Sequence, residues 1–270
     1  MAVRSNFHTH STYCDGRDTP GEMAETAFSL GFLALGFSGH CDPAFSGCGM
    51  TPEGSRLYRQ EINALKETYV GRMEIYCGIE QDYFSGPRAP EYDYAIGSVH
   101  WLEKDGHHLG VDWSLEKTAE NVTQYYGGDP YAYAADYYAL VARVREQTGC
   151  DIIGHFDLLT KFTELSPLLD EADPRYRRAV FAALDALAEP GQIFEINTVA
   201  MARGYRTAPY PALWILRELR RRRCAVMINS DCHDRRKLTC GFDLAQALAR
   251  EAGFSSRIEI RGGAFQETAL

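Results

Sequence analysis

The sequence predicts an α/β fold of barrel type, and two observations carry that expectation. Seven short runs rich in β-branched and aromatic residues recur along the chain, most of them followed by a helical pattern or a long loop. Within runs such as IIG and AVMI the apolar residues do not alternate with polar ones, which marks strands buried on both faces. Strands that alternate with helices pair in parallel through crossovers. A length of 270 residues with 45% hydrophobic and 24% charged side chains suits one substantial core and falls where single-domain α/β barrels fall, so one domain over 1–270 is expected.

The expected strands cover residues 3–7, 33–38, 74–79, 94–99, 151–154, 193–197 and 225–229. Thr19, followed by Pro20 and by Glu22 three residues on, has the form of a helix N-cap with a capping box, and Thr51 before Pro52 has the form of a simpler cap. Helical periodicity also runs over 177–188 and 213–223. The arginines at 220–223 are expected to decorate the C-terminal end of that helix, where cations complement the dipole. The interval 101–148 is longer than a barrel connection requires and is expected to be a helical excursion. Its tyrosines, among them Tyr125, Tyr126, Tyr131, Tyr133, Tyr137 and Tyr138, either pack helix on helix or roof the site.

The formal net charge of −9 disfavours partners held by attraction to phosphate backbones or anionic lipid, so neither nucleic acid nor a membrane surface is expected. The first ten residues carry no signal-peptide apolar region, and no stretch reaches the roughly 18 apolar residues of a membrane span. Eight cysteines without a CxxC pair fit reduced, mostly buried thiols. A cytoplasmic enzyme is the expectation.

The chemistry gathers at strand ends. The first strand ends in His8-Thr9-His10, and residues two apart on a strand project to the same face. Asp15-Gly16 follows, a turn that can return a carboxylate over that spot. The same event repeats: His40 ends the second strand, Glu80 the third, His100 the fourth, His155 the fifth, and Asp231 and His233 the seventh. In parallel α/β sheets the C-terminal strand edge is where sites assemble, so these residues converge across more than 200 positions. Six histidines and three carboxylates suit zinc, iron or manganese and exceed what one ion uses, which implies two or three ions. Glu80 is the candidate bridge. Adjacent metals activate a shared water and hold reacting oxygens in line, which is hydrolytic chemistry, most often on phosphoesters.

The motifs HTHSTYCDG, GH at 39–40, GIEQDYF, GSVHW, GHFDLL and NSDCH resemble, in order, those of the polymerase-and-histidinol-phosphatase (PHP) family, from His8 to His233. EINT with RGYRTAPYP at 195–211, together with GSVHW, resembles the monofunctional histidinol-phosphate phosphatases more than the polymerase-associated domains. The resemblance implies a distorted seven-stranded (β/α)7 TIM-like barrel holding three divalent metals at the C-terminal strand ends. It places His8, His10, Glu80 and Asp231 on a first ion, Glu80, His100 and His155 on a second, and Asp15, His40 and His233 on a third. It further implies hydrolysis of L-histidinol phosphate, with Asp231 and His233 in the catalytic machinery and Arg203 on the phosphate. Arg206 is well placed beside Arg203 to bind the same dianion. Related phosphatases tend to carry an arginine shortly after the fifth-strand histidine. Here Asp157, Leu158, Leu159, Thr160 and Lys161 stand instead, and Lys161 is the candidate replacement.

Other residues near these motifs are not expected to ligate metal. His107 and His108 lie in GHHLG, read as a turn, and Cys14, Cys41 and Cys232 adjoin ligands but point away. Asp42 and Asp157 either orient His40 and His155 or cap helices, and Asp234 caps the turn after His233. Three alternatives stand beside the histidinol-phosphate expectation: a PHP phosphoesterase acting on another small phosphometabolite or nucleotide, a nucleic-acid processing module, and a structural metal site. The acidic composition opposes the second, and nine donors exceed the closed four-ligand form of the third.

Overall fold

The computed structural model describes residues 2–41 and 43–270. Its strands are β1 (Ser5–Asn6), β2 (Ala34–Phe37), β3 (His40–Cys41), β4 (Glu74–Asp82), β5 (Tyr94–Ser98), β6 (Trp101–Lys104), β7 (His107–Gly110), β8 (Ile152–Ile153), β9 (Ile193–Asn197), β10 (Ala225–Asn229), β11 (Ser256–Arg261) and β12 (Ala264–Ala269). Seven of them pair in parallel in the order β1-β2-β4-β5-β8-β9-β10. The ends of the sheet then meet. A parallel bridge joins Thr9 to Cys232, with His10 N donating to Cys232 O at 2.9 Å and Cys232 N to His8 O at 3.2 Å. The result is a nearly closed seven-stranded barrel surrounded by helices, as the sequence predicts.

Each barrel strand turns an apolar side chain inward. Phe7, Tyr76, Tyr94, Ile152 and Met227 form an interior cluster with partners from the other strands, and Tyr94 fills its middle, donating its hydroxyl to the carbonyls of Phe7 (2.5 Å) and Phe37 (3.1 Å). Gly36 and Gly78 make this possible, because a Cβ at either would lie 2.4 or 2.2 Å from the Tyr94 side chain. The β11–β12 hairpin covers the N-terminal end, where Ile260 joins the interior cluster and Ser5 donates to Glu259 at 2.9 Å. The interior is thereby plugged at one end and open to chemistry only at the other.

Both helix starts take the expected form. Thr19 and Glu22 cap Pro20–Ser29 reciprocally, and Thr51 caps Pro52–Thr68. The third and fourth helical runs settle as Pro174–Leu187 and Leu213–Arg221, with Arg220 and Arg221 in the last turn and Arg222 paired to Asp185. No helix among the described residues is long and apolar enough to cross a membrane.

The 101–148 interval departs from expectation at its start. It opens as the antiparallel β6–β7 hairpin, and only then continues into helices Leu115–Tyr126, Pro130–Val141 and Val144–Thr148. His107 and His108 are therefore strand residues beyond an Asp105-Gly106 turn, and the His108 ring stacks on Phe45 at 3.6 Å. Tyr133, Tyr137 and Tyr138 are buried, and the Tyr138 and Tyr176 hydroxyls meet at 2.9 Å, so this part of the cluster packs helix on helix.

Candidate metal centre

The nine side chains singled out in the sequence all converge at the C-terminal mouth of the barrel. His8 and His10 lie on one face of the extended chain after β1, their rings 5.2 Å apart, while Thr9 turns away and donates to Gly36 O. β3 sets His40 in register with Glu80 on β4. Glu80 then occupies the centre. Its Oε2 lies 3.2 Å from His8 Nε2, 3.4 Å from His10 Nε2 and 2.9 Å from His40 Nδ1. Its Oε1 lies 3.3 Å from His100 Nε2 and 2.9 Å from His155 Nε2, and accepts from Ser98 Oγ at 2.6 Å. Asp231 Oδ1 is 3.0 Å from His10 Nε2, and Asp15 reaches His233 Nε2 at 3.2 Å and His40 Nε2 at 3.5 Å.

Three groups have donor atoms within 4.8 Å of one another: His10, Asp15, His40 and His233; His8, His10 and Asp231; and His40, Glu80 and His100. The partition differs in detail from the one the resemblance implies, since His10 and His40 each belong to two groups and His155 joins through Glu80.

These residues fit divalent cations. The Nε2 atoms of His8 and His10, Oε2 of Glu80 and Oδ1 of Asp231 are buried at one place without a hydrogen-bond partner among the described residues. A buried polar atom without a partner costs about 1–3 kcal/mol, and a cation ligated by all of them removes that cost. Ionisation agrees. Burial raises the Glu80 and Asp231 carboxyls, but His8 and further surrounding imidazoles outweigh it and hold both well below the usual carboxylate range. Burial, with His233 and His40 alongside, pushes the His10 imidazole down to about 3, leaving its ring neutral with a lone pair to give. Asp231 also holds a left-handed backbone, φ 51°, a strained conformation for a non-glycine residue of the kind that clusters at working sites.

A second layer orients these groups, and the sequence reading overlooks it. Glu195 on β9 is fully buried and accepts from His8 Nδ1 at 2.6 Å, His155 N at 3.0 Å, Asn197 Nδ2 at 2.9 Å and Asn229 Nδ2 at 3.0 Å. The bond to Nδ1 fixes the His8 tautomer so that Nε2 faces the centre. Asp82 accepts from His100 N at 2.9 Å. The available signal was a carboxylate between the apolar residues of IFEIN, and a second one two residues after Glu80.

The cations expected to hold substrate separate. Arg203 follows the short helix Val199–Ala202 and lines the cleft beside the centre. Lys161 lines the same cleft, with Nζ 2.7 Å from Asp112 Oδ2. Arg206 does not reach it. It is buried behind the wall, donating to the hydroxyl and carbonyl of Thr160 and lying over the Tyr210 ring, and is a structural residue.

Asp157 orients no imidazole. It accepts from Ala212 N at 3.0 Å where Leu213–Arg221 begins, and burial pushes its carboxyl up to about 6. Asp42 lies outside the described residues. Asp234 caps the turn after His233, as expected. Cys14 Sγ stands 3.6 Å from His10 Nδ1, and Cys232 donates to Asp234 O.

A plugged α/β barrel whose open mouth gathers six histidines and three carboxylates, with Arg203 lining the same cleft, defines a multi-metal hydrolase of phosphate esters. The chain belongs to the PHP domain family, whose model matches residues 6–199. Among curated relatives, a Deinococcus radiodurans protein named "Probable histidinol-phosphatase" is 30% identical over 260 residues, covering 92% of this chain and 92% of that one. A Schizosaccharomyces pombe protein of the same name is 24% identical over 97% of this chain and 90% of its own length. Among solved structures, the histidinol phosphate phosphatase of Lactococcus lactis subsp. lactis, complexed with zinc, L-histidinol and phosphate, superposes with a TM-score of 0.73 at 22% identity, covering 97% of this chain and 98% of that one.

Proposed function

We propose that this chain is a metal-dependent histidinol-phosphatase that hydrolyses L-histidinol phosphate to L-histidinol and phosphate, and that the nine converging side chains hold several divalent ions. The carrying observation is the set of donor atoms on His8, His10, Glu80 and Asp231, buried without a hydrogen-bond partner among the described residues, in the cleft that Arg203 lines. The two relatives named for this activity, covered over nearly their whole length, supply the substrate.

Bound at these residues, the ions supply Lewis acidity toward the phosphoryl oxygens and activate water near neutral pH. The chain's own residues do the rest. Glu80 offers its two oxygens to opposite sides of the centre, which suits it to bridge. Asp231 is held by Asn197 Nδ2 at 3.2 Å through Oδ2, leaving Oδ1 for the centre. His233 Nδ1 bonds to the Asp231 carbonyl at 2.9 Å, which turns Nε2 toward Asp15 at the rim. Arg203 can present two parallel N–H groups to the phosphate, fixing phosphorus for in-line attack. Below the centre the barrel interior is filled by the apolar cluster around Tyr94.

The test is phosphate release by metal-loaded enzyme from L-histidinol phosphate and from p-nitrophenyl phosphate. A kcat/KM at least about 100-fold higher on the former supports the assignment, and equal values refute it. A second reading, another small phosphometabolite, draws on Thr160 and on the pairing of Lys161 with Asp112, which leaves Arg203 as the main phosphate cation. A panel of phosphomonoesters separates the two. The acidic chain and free thiols such as Cys77, Cys150 and Cys224 favour a cytoplasmic enzyme of small-molecule metabolism, organised as one barrel domain.

A further inference from the structure

The cleft that holds Arg203 and the metal-ligating groups is also lined by Asp112, a carboxylate that belongs to none of those groups. It stands just past β7, between Trp113 and the hairpin that carries Trp101, and the two indoles meet edge to face with centroids 5.9 Å apart. Trp113 is 66% exposed although it lines the cleft, so its ring forms a wall and shields little core. One oxygen of Asp112 is anchored, since Oδ2 accepts from Lys161 Nζ at 2.7 Å, and the same Nζ donates to the Asp112 carbonyl at 2.9 Å. The other oxygen, Oδ1, has no hydrogen-bond partner among the described residues, and the side chain keeps 28% of its surface exposed. The carboxylate is thus held rigid with one acceptor left for a ligand.

Asp112 differs in chemistry from everything else assigned to substrate. Arg203 attracts the phosphate, whereas an anion in the same cleft repels it. Beyond its internal pair with Lys161, an anion there favours a substrate whose leaving alcohol carries a cationic group. An aromatic wall beside it adds a π face for the same cation. Resting on the histidinol-phosphate assignment, we propose that Asp112 is a specificity-determining residue whose free oxygen binds the substrate ammonium, selecting amino-alcohol phosphates over esters that lack the amine. The competing role is purely internal. If Asp112 serves only to hold Lys161, its loss affects every phosphomonoester alike.

The experiment compares kcat/KM on L-histidinol phosphate with that on its desamino analogue, 3-(imidazol-4-yl)propyl phosphate, for metal-loaded wild type and Asp112→Asn. Wild type favours the aminated ester, and in the variant the ratio of the two values falls roughly 10- to 100-fold, the loss of one charge-assisted hydrogen bond. An unchanged ratio, including an equal fall on both esters, overturns the proposal. A wild-type measurement stands independently of how the variant folds. L-Histidinol inhibits competitively at least about 10-fold more tightly than the desamino alcohol, and equal inhibition also overturns the proposal. The two assignments fail separately. A wild type no faster on histidinol phosphate than on aryl phosphate refutes the substrate, whereas strong preference for histidinol phosphate with an unchanged Asp112→Asn ratio refutes only the role of Asp112.

Discussion

Glu195 ties three strand ends together through two oxygens, one accepting from His8 and Asn229, the other from His155 N and Asn197. Glu195→Gln replaces one of those oxygens with a donor facing donors. Metal affinity measured by titration calorimetry should fall about 10- to 100-fold, and an affinity within twofold of wild type would remove its orienting role. Arg203 and Arg206 make a paired test. Arg203→Met should lower kcat/KM by about 100-fold or more with little change in unfolding free energy. Arg206→Met strips buried Thr160 of its guanidinium and should cost about 3 kcal/mol in urea denaturation. The ligating histidines were legible because one event repeats at successive strand ends. Glu195 was not, since a single carboxylate in IFEIN looks like an ordinary strand residue until its four donors are known. Nor can a spacing of three residues say which of two arginines faces a cleft and which lies behind its wall.

At the level of elements, the barrel depends on glycine wherever Tyr94 passes. A Cβ on Gly78 would stand 2.2 Å from the Tyr94 ring, and that ring is fixed by two carbonyls, so it cannot give way. Gly78→Ala should destabilise by about 2–3 kcal/mol in chemical denaturation, and a loss below 0.5 kcal/mol would contradict this packing. The strands and both threonine caps were visible in the sequence, because continuous apolar runs and the Thr-Pro pairs are local signals. The β6–β7 hairpin carried a local signal too, Asp105-Gly106, whose φ values of 51° and 76° suit a two-residue turn. The glycines flanking His107 and His108 masked it. The tyrosine excursion offered no local means of telling a roof from a packing face; its partner Tyr176 lies 38 residues on from Tyr138.

On the scale of the whole molecule, the centre joins residues from His8 to His233, so ions held there fasten the two ends of the sheet. Stripping metal with dipicolinate should lower Tm by on the order of 10 °C in calorimetry and abolish activity together, and an unchanged Tm would show that the barrel closes without the ions. Closure was foreseeable from strand count and alternation. The bridge from Thr9 to Cys232 that completes it was not, because it joins residues 223 positions apart in no regular strand. The most direct test of the account is anomalous scattering from metal-loaded crystals soaked with phosphate. It predicts two or three peaks among His8, His10, Asp15, His40, Glu80, His100, His155, Asp231 and His233, with phosphate between them and Arg203. A single four-ligand peak, or phosphate bound away from Arg203, would contradict it.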